Sequence, residues 1–333
     1  MTATEHKSPY DEAYSYVQEC RSWRKNKNTI FPLHRSLEDY EAPFAIKISV
    51  GDWIRLESEL EQESDETYPR LSYNASTSQL IIQCMPSPLH QSISSMIGQV
   101  FMASKVSLPM HLQNQTMFRW GVDENNFEGP WSRSAKQPDL AIQVYGENGV
   151  KKTRWVLETR FSERYEDLVS DAQLWLEGGS DVAMVMLVKF TETPKYRCPI
   201  KINDVDDDGN KLEELGIPSD RRQIAYQDVC LDEPFGPAHY QGLTWVGQIT
   251  EAFMEIWIRD NGKAIQYGDR EDLLSMAQVH VSFEGIFPSG YFEGITLDLE
   301  MFRSTLREQL KELASCRCRE LVGRYKKKWD LFE

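Results

Sequence analysis

The sequence has no long uncharged apolar run, whereas a membrane-spanning helix needs about 20 consecutive apolar residues. The stretch from Met1 to Asn28 also lacks the apolar segment of a secretory signal. No membrane partner is expected, and the chain reads as intracellular, cytoplasmic or nuclear. Positive charge is scarce: 37 Lys and Arg stand against 52 Asp and Glu, a net charge of −15. A broad, non-specific nucleic-acid surface needs clustered cations and is disfavoured, although a local basic groove is not. Cysteine is sparse too. Of Cys20, Cys84, Cys198, Cys230, Cys316 and Cys318, only the last two are close together, and no second pair completes a zinc site. Free thiols in a reducing compartment are expected. There is no internal repeat, Gly-rich phosphate loop or serine-nucleophile motif.

What is present is an ordinary globular composition, 41% apolar and 27% charged over 333 residues. That length buries a sizeable core in one large domain or two. Residues 1–50 are polar and read as an N-terminal arm with a helix over Tyr10 to Lys25, anchored by Tyr14, Val17 and Trp23. Ser49 or Asp52 caps a second helix carrying Trp53, Ile54, Leu56 and Leu60. Arg70 to Tyr73 and Leu80 to Gln83 read as strands around a turn-forming segment. A helix follows from about His90 to Ser104, with Ile93, Ile97, Val100 and Phe101 at helical spacing. Pro109 to Met117 suggests another strand. The loop from Trp120 to Lys136 carries Trp120, Phe127 and Trp131, which either stack on bases or pack the loop onto the core.

The chain is organised around the stretch from Gln137 to Phe190. Asp139 opens one short apolar run, and Glu158 ends the next, Trp155 to Leu157. Both runs suit buried strands joined by a hairpin. Pairing them brings the two carboxylates to one end, where they converge on a divalent cation such as Mg²⁺. Tyr165, Leu168, Val169, Ala172, Trp175 and Leu176 then form one helical stripe, closed by Gly178 and Gly179. Val182 to Val188 returns as a strand, the crossover of an α/β core. A structural alternative stands beside the metal reading: Arg160, two residues from Glu158 on the same strand, pairs with Glu158 or with Asp139.

This stretch resembles the core of the PD-(D/E)xK nuclease superfamily, the restriction-endonuclease-like fold, including bacterial endonuclease-like proteins and related fungal ones. Pro138-Asp139 stands where the family has its PD pair, and Glu158-Thr159-Arg160 stands where it has Glu-x-Lys. The resemblance covers roughly residues 67 to 190. It takes in Arg70 to Tyr73, the Pro-x-Pro-x-His run from Pro86 to His90, Ser162-Glu163, and Asp171 to Leu176. Arg160 replaces the family lysine, and a second family lysine, which would align near Asp171, is also absent. The resemblance implies a mixed central sheet flanked by helices. It implies Asp139 and Glu158 as ligands of Mg²⁺ or Mn²⁺, Arg160 stabilising charge and His90 assisting. It also implies DNA or another phosphate-containing substrate. Arginine is always protonated, so Arg160 serves as a charge stabiliser or phosphate ligand and not as a base. Glu57 and Glu59, on the helix before the core, are further carboxylates the resemblance points to, and Lys189 is a candidate relocated lysine.

Beyond the core, residues 191–245 form a proline-rich elaboration. Asp204 to Gly209 imitates the start of a calcium loop, but its twelfth position is Leu215, so an acidic surface loop is expected. Ile249 to Arg259 alternates as a strand and turns at Asn261-Gly262. A final helix from about Leu299 to Trp329 covers the sheet or forms the seam of a homodimer, and Lys326 to Lys328 suits its C-terminus. The expected architecture is α/β: arm 1–50, restriction-endonuclease-like core 51–190, elaboration 191–245, and strands plus a long helix 246–333 completing the domain. Three functions compete. They are a Mg²⁺-dependent nuclease or phosphodiesterase with a degenerate lysine position, a catalytically inactive nucleic-acid- or protein-binding member of the fold, and an enzyme repurposed for a small metabolite in the same cleft.

Overall fold

The computed structural model describes residues 7–25, 43–63, 68–84, 88–146, 149–161, 164–200, 210–287 and 293–329. Pro86, Ser162, Glu163 and the acidic run 204–209 lie outside them, as do the side chains of Trp23 and of residues 326–328.

The elements in order are α1 (Pro9–Lys25), β1 (Phe44–Lys47), α2 (Val50–Glu63), β2 (Arg70–Asn74), β3 (Gln79–Gln83), α3 (Pro88–Lys105), α4 (Met110–Gln115), β4 (Thr116–Arg119), β5 (Leu140–Tyr145), β6 (Lys151–Phe161), α5 (Tyr165–Gln173) and β7 (Met184–Thr193). They continue as α6 (Asn210–Glu214), β8 (Cys230–Leu231), β9 (Ala238–Tyr240), β10 (Leu243–Val246), β11 (Gln248–Asp260), β12 (Lys263–Asp272), β13 (Gln278–Ser282), β14 (Gly294–Asp298) and α7 (Leu299–Trp329).

Trp155, Val156 and Leu157 of β6 and Val185 to Val188 of β7 are all buried. Strands apolar on both faces belong at the centre of a sheet covered on both sides. The main sheet has six strands in the order β12-β11-β7-β6-β5-β4. β6 and β7 run parallel, from Trp155 opposite Met184 to Phe161 opposite Phe190, with α5 as the crossover. The remaining neighbours are antiparallel, so the sheet is mixed. One face packs on α3 and α7: Phe101 meets Trp155 edge-on at 4.6 Å, and Phe190 stacks on Phe302 at 6.1 Å. On the other face, Leu168, Ala172 and Trp175 lie over Val156, Val185 and Leu187.

Helix α7 follows the predicted span, and Phe302, Leu306, Leu310, Leu313 and Leu321 of its stripe are buried within the chain. That stripe is therefore not a seam for a second copy. Arg317 pins the helix, donating from Nη1 and Nη2 to Glu192 of β7 at 2.8 and 3.0 Å and to the Trp245 carbonyl at 2.7 Å. Both charged side chains are buried.

The structure corrects three expectations. The strands over 70–83 do not join the main sheet. They pair with β1 in a separate sheet, β1-β3-β2. Tyr16 and Val17 of α1, Trp53 and Leu56 of α2, and Tyr73, Leu80 and Ile82 of the strands share one core, so the expected arm boundary at residue 50 runs through a packed cluster. Trp53 and Tyr73 stack there at 5.2 Å. Secondly, Cys20 and Cys84 form a disulfide between α1 and the end of β3 instead of two free thiols. Thirdly, Pro109 to Met117 is mostly the short helix α4, and only Thr116 onward is strand. Short apolar runs do not distinguish the two states. Here Gln113 closes a turn onto the Pro109 carbonyl at 3.0 Å, while its side chain bonds the Leu108 carbonyl at 2.7 Å.

Candidate functional site

The small sheet meets the loop before β5 through a backbone pair, in which Tyr73 and Ala135 exchange N–H···O bonds of 2.8 and 3.0 Å. That contact sets the path of the chain from Ala135 to Asp139, immediately before β5. The Asp139 N–H then bonds the Leu157 carbonyl at 3.1 Å, placing its side chain beside β6. Oδ2 of Asp139 accepts the Thr159 N–H at 2.6 Å and lies 2.9 Å from Nε2 of His90, in the first turn of α3. Oδ1 accepts from Nη1 of Arg70, on β2, at 2.6 Å. The other guanidinium arm of Arg70 donates to the Gln137 carbonyl. Burial alone would raise the Asp139 pKa, but His90 and Arg70 override it and hold the carboxyl far below the usual range.

Glu158 is fully buried on the α5 side of β6. Its Oε1 accepts from Nε1 of Trp175 at 2.7 Å. Trp175 sits in a single π-helical turn, Leu174–Gly178, that extends α5. Such widened turns recur at functional positions. Gly178 makes room for it: a Cβ there would fall 2.8 Å from Cβ of Trp131. Among the described residues Oε2 of Glu158 has no hydrogen-bond partner, and it lies 3.7 Å from Nζ of Lys136. Burial, opposed by Lys136 and reinforced by Asp171 and Asp139, pushes the Glu158 pKa up to about 7.

Lys136, itself buried, bonds Oδ1 of Asp171 at 2.8 Å, and Arg160 bonds Oδ2 of the same carboxylate at 2.6 Å. Sequence reasoning expected Arg160 to pair with Glu158 or Asp139; its ion pair is with Asp171 on α5. The four predicted residues Asp139, Glu158, Arg160 and His90 do lie in one neighbourhood, joined by Arg70, Lys136 and Asp171. Asp171 was legible: it lies on the buried stripe of α5 with Leu168 and Trp175, where a carboxylate needs a partner. Lys136 had no such signal. Its place comes from paired backbone bonds of 2.9 Å with Glu124. Lys189 is also buried and donates to the Phe190 carbonyl at 3.0 Å.

Among the loop aromatics, Phe127 packs on Trp175 at 5.4 Å and Trp131 lies against Gly178, so both serve packing. Access to the cluster is narrow. The cavity lined by Lys136, Ser170 and Asp171 measures about 20 Å³, room for roughly one water.

A divalent ion of the Mg²⁺ or Mn²⁺ type needs oxygen ligands with available lone pairs. Asp139 already accepts from Arg70 and a backbone N–H, with Nε2 of His90 2.9 Å away, and Oε1 of Glu158 accepts from Trp175. The carboxylates of Asp139, Glu158 and Asp171 are balanced in charge by Arg70, Lys136 and Arg160. Among the described residues no group of three or more His, Cys, Asp or Glu side chains is arranged to hold a metal. Among the described residues only Oε2 of Glu158, of the four carboxylate oxygens of Asp139 and Glu158, is without a hydrogen bond, so in this arrangement the pair does not offer a divalent ion converging free lone pairs. No described helix is long and apolar enough to cross a membrane. Comparison with known protein families, curated proteins and solved structures found no match for this chain.

Proposed function

We propose that this chain is a restriction-endonuclease-like protein whose nuclease-motif positions have become an internal ion-pair network, and that it acts by binding and not by hydrolysis. The fold reading is supported by α3, the antiparallel β4-β5-β6 run, the α5 crossover and the parallel β7. The observation that carries the functional reading is the Asp139 carboxylate, both of whose oxygens are bonded by the chain's own donors. A net charge of −15, with Arg70, Lys136 and Arg160 all paired to carboxylates, favours a partner other than nucleic acid.

The deciding assay incubates the full chain and Asp139→Ala with plasmid, RNA and a chromogenic phosphodiester in Mg²⁺ or Mn²⁺. The expected result is no turnover by either protein, with the variant less stable. Metal-dependent cleavage that Asp139→Ala abolishes, with its fold retained, overturns the reading.

One observation favours the alternative, Mg²⁺- or Mn²⁺-dependent phosphodiester hydrolysis of DNA. Lys136 brings an ammonium to 3.7 Å from Glu158, so a lysine accompanies the motif glutamate although Arg160 holds the motif position. The same assay separates the two.

A further inference from the structure

A second, larger cavity of about 600 Å³ opens between the small sheet with its helices and the loop leading to β5. Its volume lies within the range of small-molecule sites, roughly 300–1,000 Å³, and junctions between packed units are where such sites recur. None of the charged side chains of the Asp139 network lines it, so a ligand held here is independent of whether that network hydrolyses anything.

Its apolar wall includes Trp53, Leu60 and Leu71. Among the described residues that line it, the polar wall is lopsided, with Glu57, Glu61 and Asp123 against Arg21, while Arg133 lies close enough to act on Glu57. Arg21 is already engaged, at 3.2 Å from both Glu63 and the Tyr68 carbonyl. Asp123 accepts from Nε2 of Gln137 at 2.6 Å. Glu57 is half-buried, and among the described residues neither it nor Glu61 forms an ion pair or hydrogen bond. Burial raises the proton affinity of Glu57, and Glu61 and Asp123 add to the effect while Arg133 opposes it. A half-buried carboxylate facing two others is relieved by any cation brought between them. The carboxylates are not arranged as a metal site. The complementary occupant therefore carries spread or capped charge on an apolar body.

We propose that this cavity binds a small organic cation, an alkylammonium or guanidinium compound whose body lies against Trp53, Leu60 and Leu71 and whose charge faces Glu57, Glu61 and Asp123. The same chemistry is available from a free amine or from a lysine or arginine side chain of a peptide.

Isothermal titration calorimetry of the full chain at physiological salt tests it. The probes are cadaverine, agmatine, a doubly capped lysine peptide, a doubly capped arginine peptide, and 1-pentanol as the uncharged control. Saturable binding of an amine or guanidinium probe, at least tenfold tighter than 1-pentanol, is expected. Glu57→Gln and Asp123→Asn should each weaken it at least tenfold with an unchanged melting temperature. Tighter binding of a free probe than of the peptides identifies a small molecule as the source, and the reverse order identifies a protein side chain; both support the site. Absence of saturable binding by every charged probe overturns the proposal, as does equal affinity for 1-pentanol or undiminished affinity in Glu57→Gln.

Discussion

Arg160 bonds Asp171, 11 positions later on α5, and not Glu158, its neighbour two residues back on the same strand. The Arg160 guanidinium thus ties a helix to the sheet. The pair is buried at both ends, with 4% and 9% of the side chains exposed.

Removing one partner of a buried pair leaves the other charge uncompensated, which typically costs about 3–5 kcal/mol. Arg160→Ala and Asp171→Ala should each lose that much in urea unfolding. The double variant Arg160→Ala with Asp171→Ala should lose clearly less than the two single changes combined, because Arg160 is no longer left facing a missing Asp171, although Lys136 loses its Asp171 bond in both backgrounds. Additive losses would show that the pair is not coupled.

The raised pKa of Glu158 has a defined sign. A carboxyl that holds its proton more tightly folded than unfolded stabilises fully below its unfolded pKa, near 4.5. It loses that contribution as pH rises through about 7. Glu158→Gln keeps an oxygen for the Trp175 indole and removes the titration. Relative to wild type, the variant should therefore gain stability between pH 5 and pH 8 in urea midpoints. A difference between the two proteins that stays constant with pH would remove Glu158 as the source.

Arg317→Ala should cost about 3–5 kcal/mol through the uncompensated Glu192 carboxylate. Hydrogen exchange locates the effect: amides of α7 and of the β7 end near Glu192 should lose protection first, and those of α2 should not.

Gly178→Ala drives a methyl group to 2.8 Å from Cβ of Trp131, against a rigid ring and not a flexible chain end. Overpacking of this kind costs roughly 1–3 kcal/mol. Circular dichroism melts read the loss. An unchanged melting temperature would mean that the loop carrying Trp131 yields freely.

The parts of the fold legible in the sequence are those that local pattern decides. The double-sided apolar runs of β6 and β7, the stripe of α5 and the long stripe of α7 each appear where periodicity places them. Asp139, which opens one such run, and Glu158, which ends the next, stood out by that placement and by the resemblance of their motifs. What sequence reasoning missed depends on contacts between distant positions. Arg70 reaches Asp139 across 69 residues, and Cys20 reaches Cys84 across 64. Nothing local to any of these four residues marks the pairing. The separate sheet of β1 to β3 escaped for the same reason: strand pattern reveals a strand but not which sheet it joins.

The Arg70–Asp139 bond also bears on how the chain comes into being. Synthesis runs from the N-terminus, and units fold as they emerge. β2, which carries Arg70, leaves the ribosome before Asp139 does, together with β1, β3 and both helices of its small core. If the small core folds as it emerges, the guanidinium is already held on β2 when β5 and β6 begin to pair. In that order of events the aspartate would enter the interior beside a counter-charge, and the carboxylate would not be buried alone.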